Sequence, residues 1–341
     1  MNTIKNITIK DVAEHAGVST ATVSHVINNT RHVENATRER VLNSMAILGF
    51  RLNYLARSLR SGETKTIGLI VPDASNLFFA DIARKIENIG YRNGYSVILC
   101  NSDNDLAKQR SYINTLIAKH VDGTIFISAG ESKEDLEELK NCGIPIVVAD
   151  RNVPLNLADV VLLDNEKAGY DATKYLIDLG HQLIACITGP LDVSPSFLRV
   201  EGYRKALSEN QIQVPEGYLV FGDYQFKGGQ NAMMQLLEVN PRPTAVFVLN
   251  DMMAIGAISS ARRMGMKVPE DISIIGFDDI ELAIAVNPAL TTMAQPIEEI
   301  AELATNLLIE KMQGNDEDWH NKEHKLSAKL VIRESTQQLR K

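Results

Sequence analysis

The chain has 341 residues, with 35 Lys and Arg against 43 Asp and Glu, a formal net charge of -8. That length suits one small head and a large body of two lobes, and the acidic balance argues against a polyanion-binding surface spread over the whole molecule. No apolar run reaches bilayer length and no N-terminal apolar signal core is present, so the expectation is a cytoplasmic chain with no membrane partner.

The charge is unevenly distributed. Residues 1–62 hold eight Lys and Arg against four Asp and Glu, a surplus of four, which leaves −12 for the remainder. A positive head on a negative body suits phosphate binding by the head alone.

The head opens with TIKDVAEHAGVSTATVSHVINNT, residues 8–30. Thr8 can cap a helix whose apolar residues Val12, Ala13 and Ala16 share one face. Gly17 permits the turn that ends it. Ser19 can cap a second short helix, with Val23, Val26 and Ile27 facing inward. Thr20, Ala21, Thr22 and His25 then face outward, small or hydrogen-bonding as a helix against base edges requires. Two short helices joined by such a turn describe a helix-turn-helix, whose second helix enters the major groove. A helical hairpin that merely packs in a core has the same pattern.

Residues 36–48 continue with helical spacing through Val41, Met45 and Leu48 and complete a three-helix head. In FRLNYLARSLRSG, residues 50–62, Leu55, Ala56 and Leu59 form a short apolar stripe between Arg57 and Arg60. Such a stretch is marginal as an isolated helix but can form when docked. Leu59 is placed to be a wedge pushed between base pairs from the minor groove. A basic linker explains the same composition.

From Thr66 the pattern becomes strand and helix in alternation: TIGLIVPD, SVILCNSD, GTIFISA and PIVVAD, then VVLLDNE, LIACITGP, YLVFGD, AVFVLND and SIIGFDD. This predicts two α/β lobes, each a parallel sheet with helices on both faces. Ligands of such sheets bind outside the carboxyl ends of the strands. Asp73, Asp150, Asp164, Asn250 and Asp278 end strands there, although Asp and Asn also cap helices and start turns. No nucleophile, phosphate-loop or metal-ligand signature occurs, so neither catalysis nor a metal or cofactor is expected. Cys100, Cys142 and Cys186 read as isolated buried thiols, not a disulfide or zinc framework.

KDVAEHAGVSTATVSHVIN, ARSLRSG, IGLIVPD, VPEDISIIGFDDIELA and NPALTTMAQP together make the chain resemble the LacI/GalR family of bacterial transcription regulators over essentially its full length. Through YLIDLGHQLIACITGPLD, LRVEGYRKAL and GFDDIELA it is most similar to the ribose-operon repressors of that family. The resemblance implies a helix-turn-helix head at 1–49, a hinge at 50–64 and a periplasmic-binding-protein-like body at 65–341. The body divides into lobe one, 65–164 with 294–321, and lobe two, 165–291 with 326–339, the chain crossing between them three times.

The resemblance further implies a homodimer on a near-palindromic operator. Thr20, Ala21 and His25 would face bases, and Ser19, Thr22, Asn28 and Arg31 the DNA backbone. Ala56, Leu59 and Arg60 would make hinge contacts. Leu52 stands where many members have proline.

By comparison with the ribose-binding protein, the resemblance assigns a sugar site to Asn76, Phe78, Phe79, Asp150, Arg151, Arg199, Tyr224, Asn250, Asp278 and Gln295. Arg151 follows that protein, whereas some ribose repressors have tryptophan there. The types are chemically coherent: carboxylates accept, guanidiniums donate in a planar fork, amides do both, and rings cover C–H faces. The implied function is an allosteric repressor released by a small sugar, ribose by the resemblance to ribose-operon repressors. A purine or phosphoprotein co-repressor, a sugar-binding transport module and an enzyme acting on a sugar stay open as alternatives.

Overall fold

The computed structural model describes residues 7–50, 62–127, 132–191, 193–314 and 320–339. The chain divides into a unit ending at Thr64 and a unit starting at Lys65. Ala56, Leu59 and Arg60, with most of the expected hinge, lie outside the described residues.

The first unit contains α1 (Ile9–Ala16), α2 (Thr20–Asn28) and α3 (Asn35–Leu48). Thr8 caps α1 in a reciprocal arrangement: its N–H donates to Asp11 Oδ2 at 2.7 Å while its hydroxyl accepts from Asp11 N. Gly17 ends α1 in the left-handed region at φ 62°. The Ser19 hydroxyl accepts from Thr22 N at 3.1 Å and starts α2. Val12, Ala13, Ala16, Val23, Val26 and Val41 form the buried core, with Ile27, Met45 and Leu48 half-buried against it. One polar link joins the outer helices, His15 Nδ1 to buried Ser44 Oγ at 2.9 Å.

The second unit holds two six-stranded sheets. Sheet one contains β1 (Thr66–Val71), β2 (Ser96–Asn101), β3 (Gly123–Ile127), β4 (Ile146–Ala149), β5 (Asp159–Leu163) and β11 (Glu323–Leu326), in the order β11-β5-β4-β3-β1-β2. All its pairings are parallel. Its strands alternate faces, as period-two side chains must. Ile67, Leu69 and Val71 pack with α4 (Leu77–Arg92) and α12 (Ile297–Gln313). Ile70 and Cys100 pack with α5 (Leu106–Ala118) and α6 (Lys133–Asn141) on the other side.

Sheet two contains β6 (Ile184–Thr188), β7 (Leu219–Phe221), β8 (Ala245–Val248), β9 (Ser273–Asp278), β10 (Thr291–Ala294) and β12 (Lys329–Val331), in the order β12-β10-β9-β8-β6-β7. Around it lie α7 (Asn165–Asp178), α8 (Ser194–Glu209), α9 (Phe226–Glu238), α10 (Asp251–Arg263) and the short α11 (Leu282–Ala285). The chain passes between the sheets after β5, after β10 and after β11.

Four sequence expectations need correction. Lobe two does not end at 291, because β10 pairs with β9 from Thr291↔Ile275 to Ala294↔Asp278. Lobe one extends past 321, because β11 pairs with β5 from Glu323 to Leu326. Sheet two is not wholly parallel either: β12 runs antiparallel to β10. Both late strands are short edge strands that begin on a charged residue, Glu323 and Lys329. Cys100 and Cys186 are buried, but Cys142 is exposed at the end of α6. Among the described residues no helix is long and apolar enough to cross a membrane.

Candidate functional site

The ten residues assigned to the sugar site line one cavity of about 240 Å³, set between the carboxyl ends of the two sheets. It is smaller than the roughly 300–1,000 Å³ of a pocket for a drug-sized ligand. Many of the lining residues arrive there because a parallel strand ends beside them, and others project from the helices that follow.

On the sheet-one side, β1 delivers Asp73 and Asn76. The Asn76 side-chain oxygen accepts from Phe78 N at 3.0 Å and so caps α4. The cap presents Phe78 and Phe79 to the cavity, edge to face with centroids 5.1 Å apart. Strand β4 delivers Asp150, at φ 62°, and Arg151. Arg151 Nη1 donates to the Asp150 carbonyl at 3.0 Å and lies 3.8 Å from Asp150 Oδ2.

On the sheet-two side, Arg199 projects from α8. Its Nε donates to Asn165 Oδ1 at 2.8 Å and its Nη1 to the Leu249 carbonyl at 2.7 Å. A guanidinium carries five N–H donors, so donors remain for a ligand. Tyr224 follows β7 at φ 65°. Its ring rests against Gly189, where a Cβ would fall 2.2 Å from Tyr224 Cζ. Burial pushes the Tyr224 phenol up from its ordinary pKa.

Asn250 caps α10 by accepting from Met253 N at 3.0 Å, and its Nδ2 donates to the Tyr224 carbonyl at 3.0 Å. The fold therefore uses half of the bonding capacity of this amide and leaves one N–H and one lone pair. Asp278 ends β9 at φ 113° and accepts from Gln295 Nε2 at 2.8 Å. Burial pushes the Asp278 carboxyl up to about 7, against the opposing effects of Arg199 and the Gln295 hydrogen bond.

Asp164, also a strand-ending acid, does not join the cavity. It caps α7 through Lys167 N at 3.2 Å and pairs with Lys325 at 3.0 Å. Asp73 does line the cavity, and its Oδ2 accepts from Gln225 Nε2 of the other lobe at 3.0 Å. Burial works against the Asp73 carboxylate, but hydrogen bonds from Ser75 and Gln225 outweigh it and hold the group below its ordinary pKa. Gln225, Asn165 and Gly189 escaped the sequence reading. Their partners lie on distant segments, and no local spacing signals them.

In the head, Ser19, Thr20, Ala21, Asn28 and Arg31 are exposed, while Thr22 and His25 are half-buried. The Thr22 hydroxyl pairs with Ser19 Oγ at 2.9 Å, and His25 Nδ1 with Thr30 Oγ1 at 2.9 Å. Asn28 Nδ2 donates back to the Ser24 carbonyl at 2.9 Å.

Comparison with known proteins places this arrangement. Residues 8–53 match the model of bacterial regulatory proteins of the lacI family, and residues 173–336 match that of a periplasmic binding protein-like domain. The chain is 42% identical to the HTH-type transcriptional repressor PurR of Vibrio atlanticus, over 91% of this chain and 93% of that protein. It is also 42% identical to the ribose operon repressor of Escherichia coli K12, over 89% and 93%. The lac repressor dimer bound to operator and the anti-inducer ONPF superposes with TM-score 0.85 at 30% identity, covering 98% of this chain and all of that one. A LacI family transcriptional regulator from Enterococcus faecium with bound ribose superposes with TM-score 0.73 at 35% identity, over 81% of this chain and all of that one.

The chain belongs to the lacI family of bacterial regulatory proteins. It is a DNA-binding transcriptional repressor with a helix-turn-helix head and a body of the periplasmic-binding type.

Proposed function

We propose that this repressor holds a near-palindromic operator as a homodimer and is released from it when ribose binds the cleft of the body. The observation that carries the reading is the chemistry of the cavity. Four carboxylates, two guanidiniums, five side-chain amides and three aromatic rings line a volume suited to one monosaccharide. A polyol presents hydroxyls that both donate and accept, and a site built to pair them rejects a ligand lacking one. In this reading nothing is turned over and no cofactor is required.

The 42% identity to a ribose operon repressor and the likeness to a ribose-bound relative support the choice of sugar. The equal identity to PurR favours a second reading, a purine co-repressor. The pocket speaks for the polyol. Phe78 and Phe79 meet at 72°, so these two rings do not make a parallel slot for a flat base.

Domains follow as a head at 1–49, a hinge at 50–64 and a body from 65. Thr20, Ala21 and His25 read bases, with Ser19, Thr22, Asn28 and Arg31 on the backbone. Ala56, Leu59 and Arg60 dock the hinge, Leu59 as the wedge. A ligand held by both lobes favours their closure, which displaces the segments leaving the body and withdraws the wedge. Linkage requires that operator DNA weaken ribose binding by the same factor, typically ~1–3 kcal/mol.

Titrating ribose, and separately hypoxanthine, into a labelled operator complex at fixed salt tests the reading. Release by ribose alone is expected. Tighter operator binding with either compound makes the cleft a co-repressor site, and no response to ribose removes it as the effector.

A further inference from the structure

Asp251 is the first residue of α10, next to the pocket residue Asn250, and is wholly buried. It does not line the cavity. Its Oδ2 accepts from Ile280 N at 3.0 Å, and its Oδ1 accepts from the Thr292 hydroxyl at 2.6 Å. One carboxylate thus ties together the start of α10, the turn after β9 and strand β10.

Both tied segments carry pocket residues. Asp278 and Asp279 precede Ile280 and stand at φ 113° and 62°, a region that side chains with a Cβ rarely adopt. Such a turn persists only where its surroundings over-determine it. Arg333 holds one side, donating from Nη2 to Asp279 Oδ1 at 2.6 Å. Asp251 holds the other through Ile280. Thr292 lies three residues before Gln295, the hydrogen-bond partner of Asp278.

The sheet is shaped around this carboxylate. A Cβ at Gly276 of β9 would fall 2.2 Å from Asp251 Oδ1. A glycine inside a strand is costly unless a close approach requires it. Burial and the nearby Asp278 raise the Asp251 carboxyl well above its ordinary pKa, so the acid is kept in the core despite a desolvation penalty.

We infer that Asp251 is a positioning residue for the effector pocket: it holds the turn at 278–280 and strand β10 so that Asp278 and Gln295 face the ligand together. The inference rests on the effector reading above, and it specifies which buried group pre-organises that site.

The test measures ribose binding by calorimetry, operator binding without sugar, and amide exchange at Ile280, all on the full-length protein. Asp251→Ala should weaken ribose binding about tenfold or more, since it strips a buried donor of its acceptor. Operator affinity without sugar should stay at the parent's level, and Ile280 exchange should accelerate. Thr292→Val, a smaller change should the first variant fold poorly, should weaken ribose binding in the same direction.

Asp251→Asn should rescue. Its amide oxygen accepts from Ile280, and its nitrogen donates to a Thr292 hydroxyl that can rotate to accept. In an Asp278→Asn background the further change Asp251→Ala should add little, because the two act as a unit. Parental ribose affinity in Asp251→Ala, or losses that simply add, would overturn the inference while leaving the effector reading intact. Should the parent itself bind no ribose, the effector reading fails. Ile280 exchange then decides the positioning alone: acceleration in Asp251→Ala upholds it, and parental rates overturn it.

Discussion

The guanidinium of Arg199 lies over the Phe277 ring, its Cζ 3.5 Å from the ring centroid. With Nε on Asn165 and Nη1 on the Leu249 carbonyl, its plane and direction are fixed before any ligand arrives. Lysine keeps the charge but has neither the fork nor the flat face. Arg199→Lys should leave two buried acceptors short of a donor and cost about 1–3 kcal/mol of stability for each. A lowered thermal midpoint together with weakened sugar binding is expected. If calorimetry and thermal unfolding both match the parent, Arg199 is not the anchor of this wall.

Asp278 predicts a pH dependence. Its carboxyl is pushed from the ordinary 3.8 to about 7 in the folded chain. The folded state therefore holds this proton more tightly than the unfolded one. Stability contributed by this group should fall as pH rises from about 4 to about 7 and then level off. A sugar hydroxyl that donates to the ionised carboxylate pulls the opposite way. Affinity should rise by up to about tenfold per pH unit below about 7, with a proton released on binding, and be flat above. Isothermal titration in buffers of different ionisation enthalpy measures that proton. The slope should vanish in Asp278→Asn, and a slope that survives there would assign it to another group.

Gly189 gives a steric prediction. A methyl at this position would sit 2.2 Å from the Tyr224 ring. The ring has to move, and overpacking of this kind costs about 1–3 kcal/mol. Gly189→Ala should weaken sugar binding while operator binding without sugar is retained. An unchanged affinity would mean that Tyr224 does not contact the ligand.

Asp150 offers a direct test of the cleft. Asp150→Ala removes a charged acceptor beside Arg151, a loss of about 2–5 kcal/mol in a buried site. The variant should bind its operator but no longer respond to ribose in a gel-shift titration. A parental response would place the sugar elsewhere.

The head separates two kinds of contact. Arg31 is exposed just after α2 and is assigned to a phosphate, so Arg31→Ala should weaken binding to all DNA alike and reduce the salt slope by about 1. Thr20 is exposed at the start of α2 and is assigned to a base, so Thr20→Ala should reduce discrimination between operator and random duplex. Fluorescence anisotropy across a salt series distinguishes the two, and interchanged effects would reverse the assignments.

Much of this was legible in the sequence, for identifiable reasons. Thr8, Gly17 and Ser19 announce the head because caps and turns are local events. The strands announce themselves as apolar runs, and their polar last residues mark where a ligand site opens. Resemblance kept Asp150, Asn250 and Asp278 of those residues and added seven more, and all ten line one cavity. Two kinds of feature stayed hidden. The partners Asn165, Gln225 and Asp251 act on residues far away in sequence, and each reads locally as an ordinary helix start. The last two strands are short, and the polar β11 gives no local signal of its pairing with β5, which misplaced the end of lobe one. Thr22, read as an outward position, is half-buried, its hydroxyl paired with that of Ser19.

Those last strands also set the order of events at synthesis. Each lies at the edge of a different sheet, and both fall between Glu323 and Val331. A nascent chain that has emerged only as far as residue 320 therefore lacks an edge strand in each lobe at once. Such a chain exposes an open sheet edge, the template on which strands of other chains pair. Neither half of the body can be finished early and set aside while the other is made. Loss of residues 323–331, by early termination or by proteolysis, would leave two unfinished edges instead of one trimmed lobe.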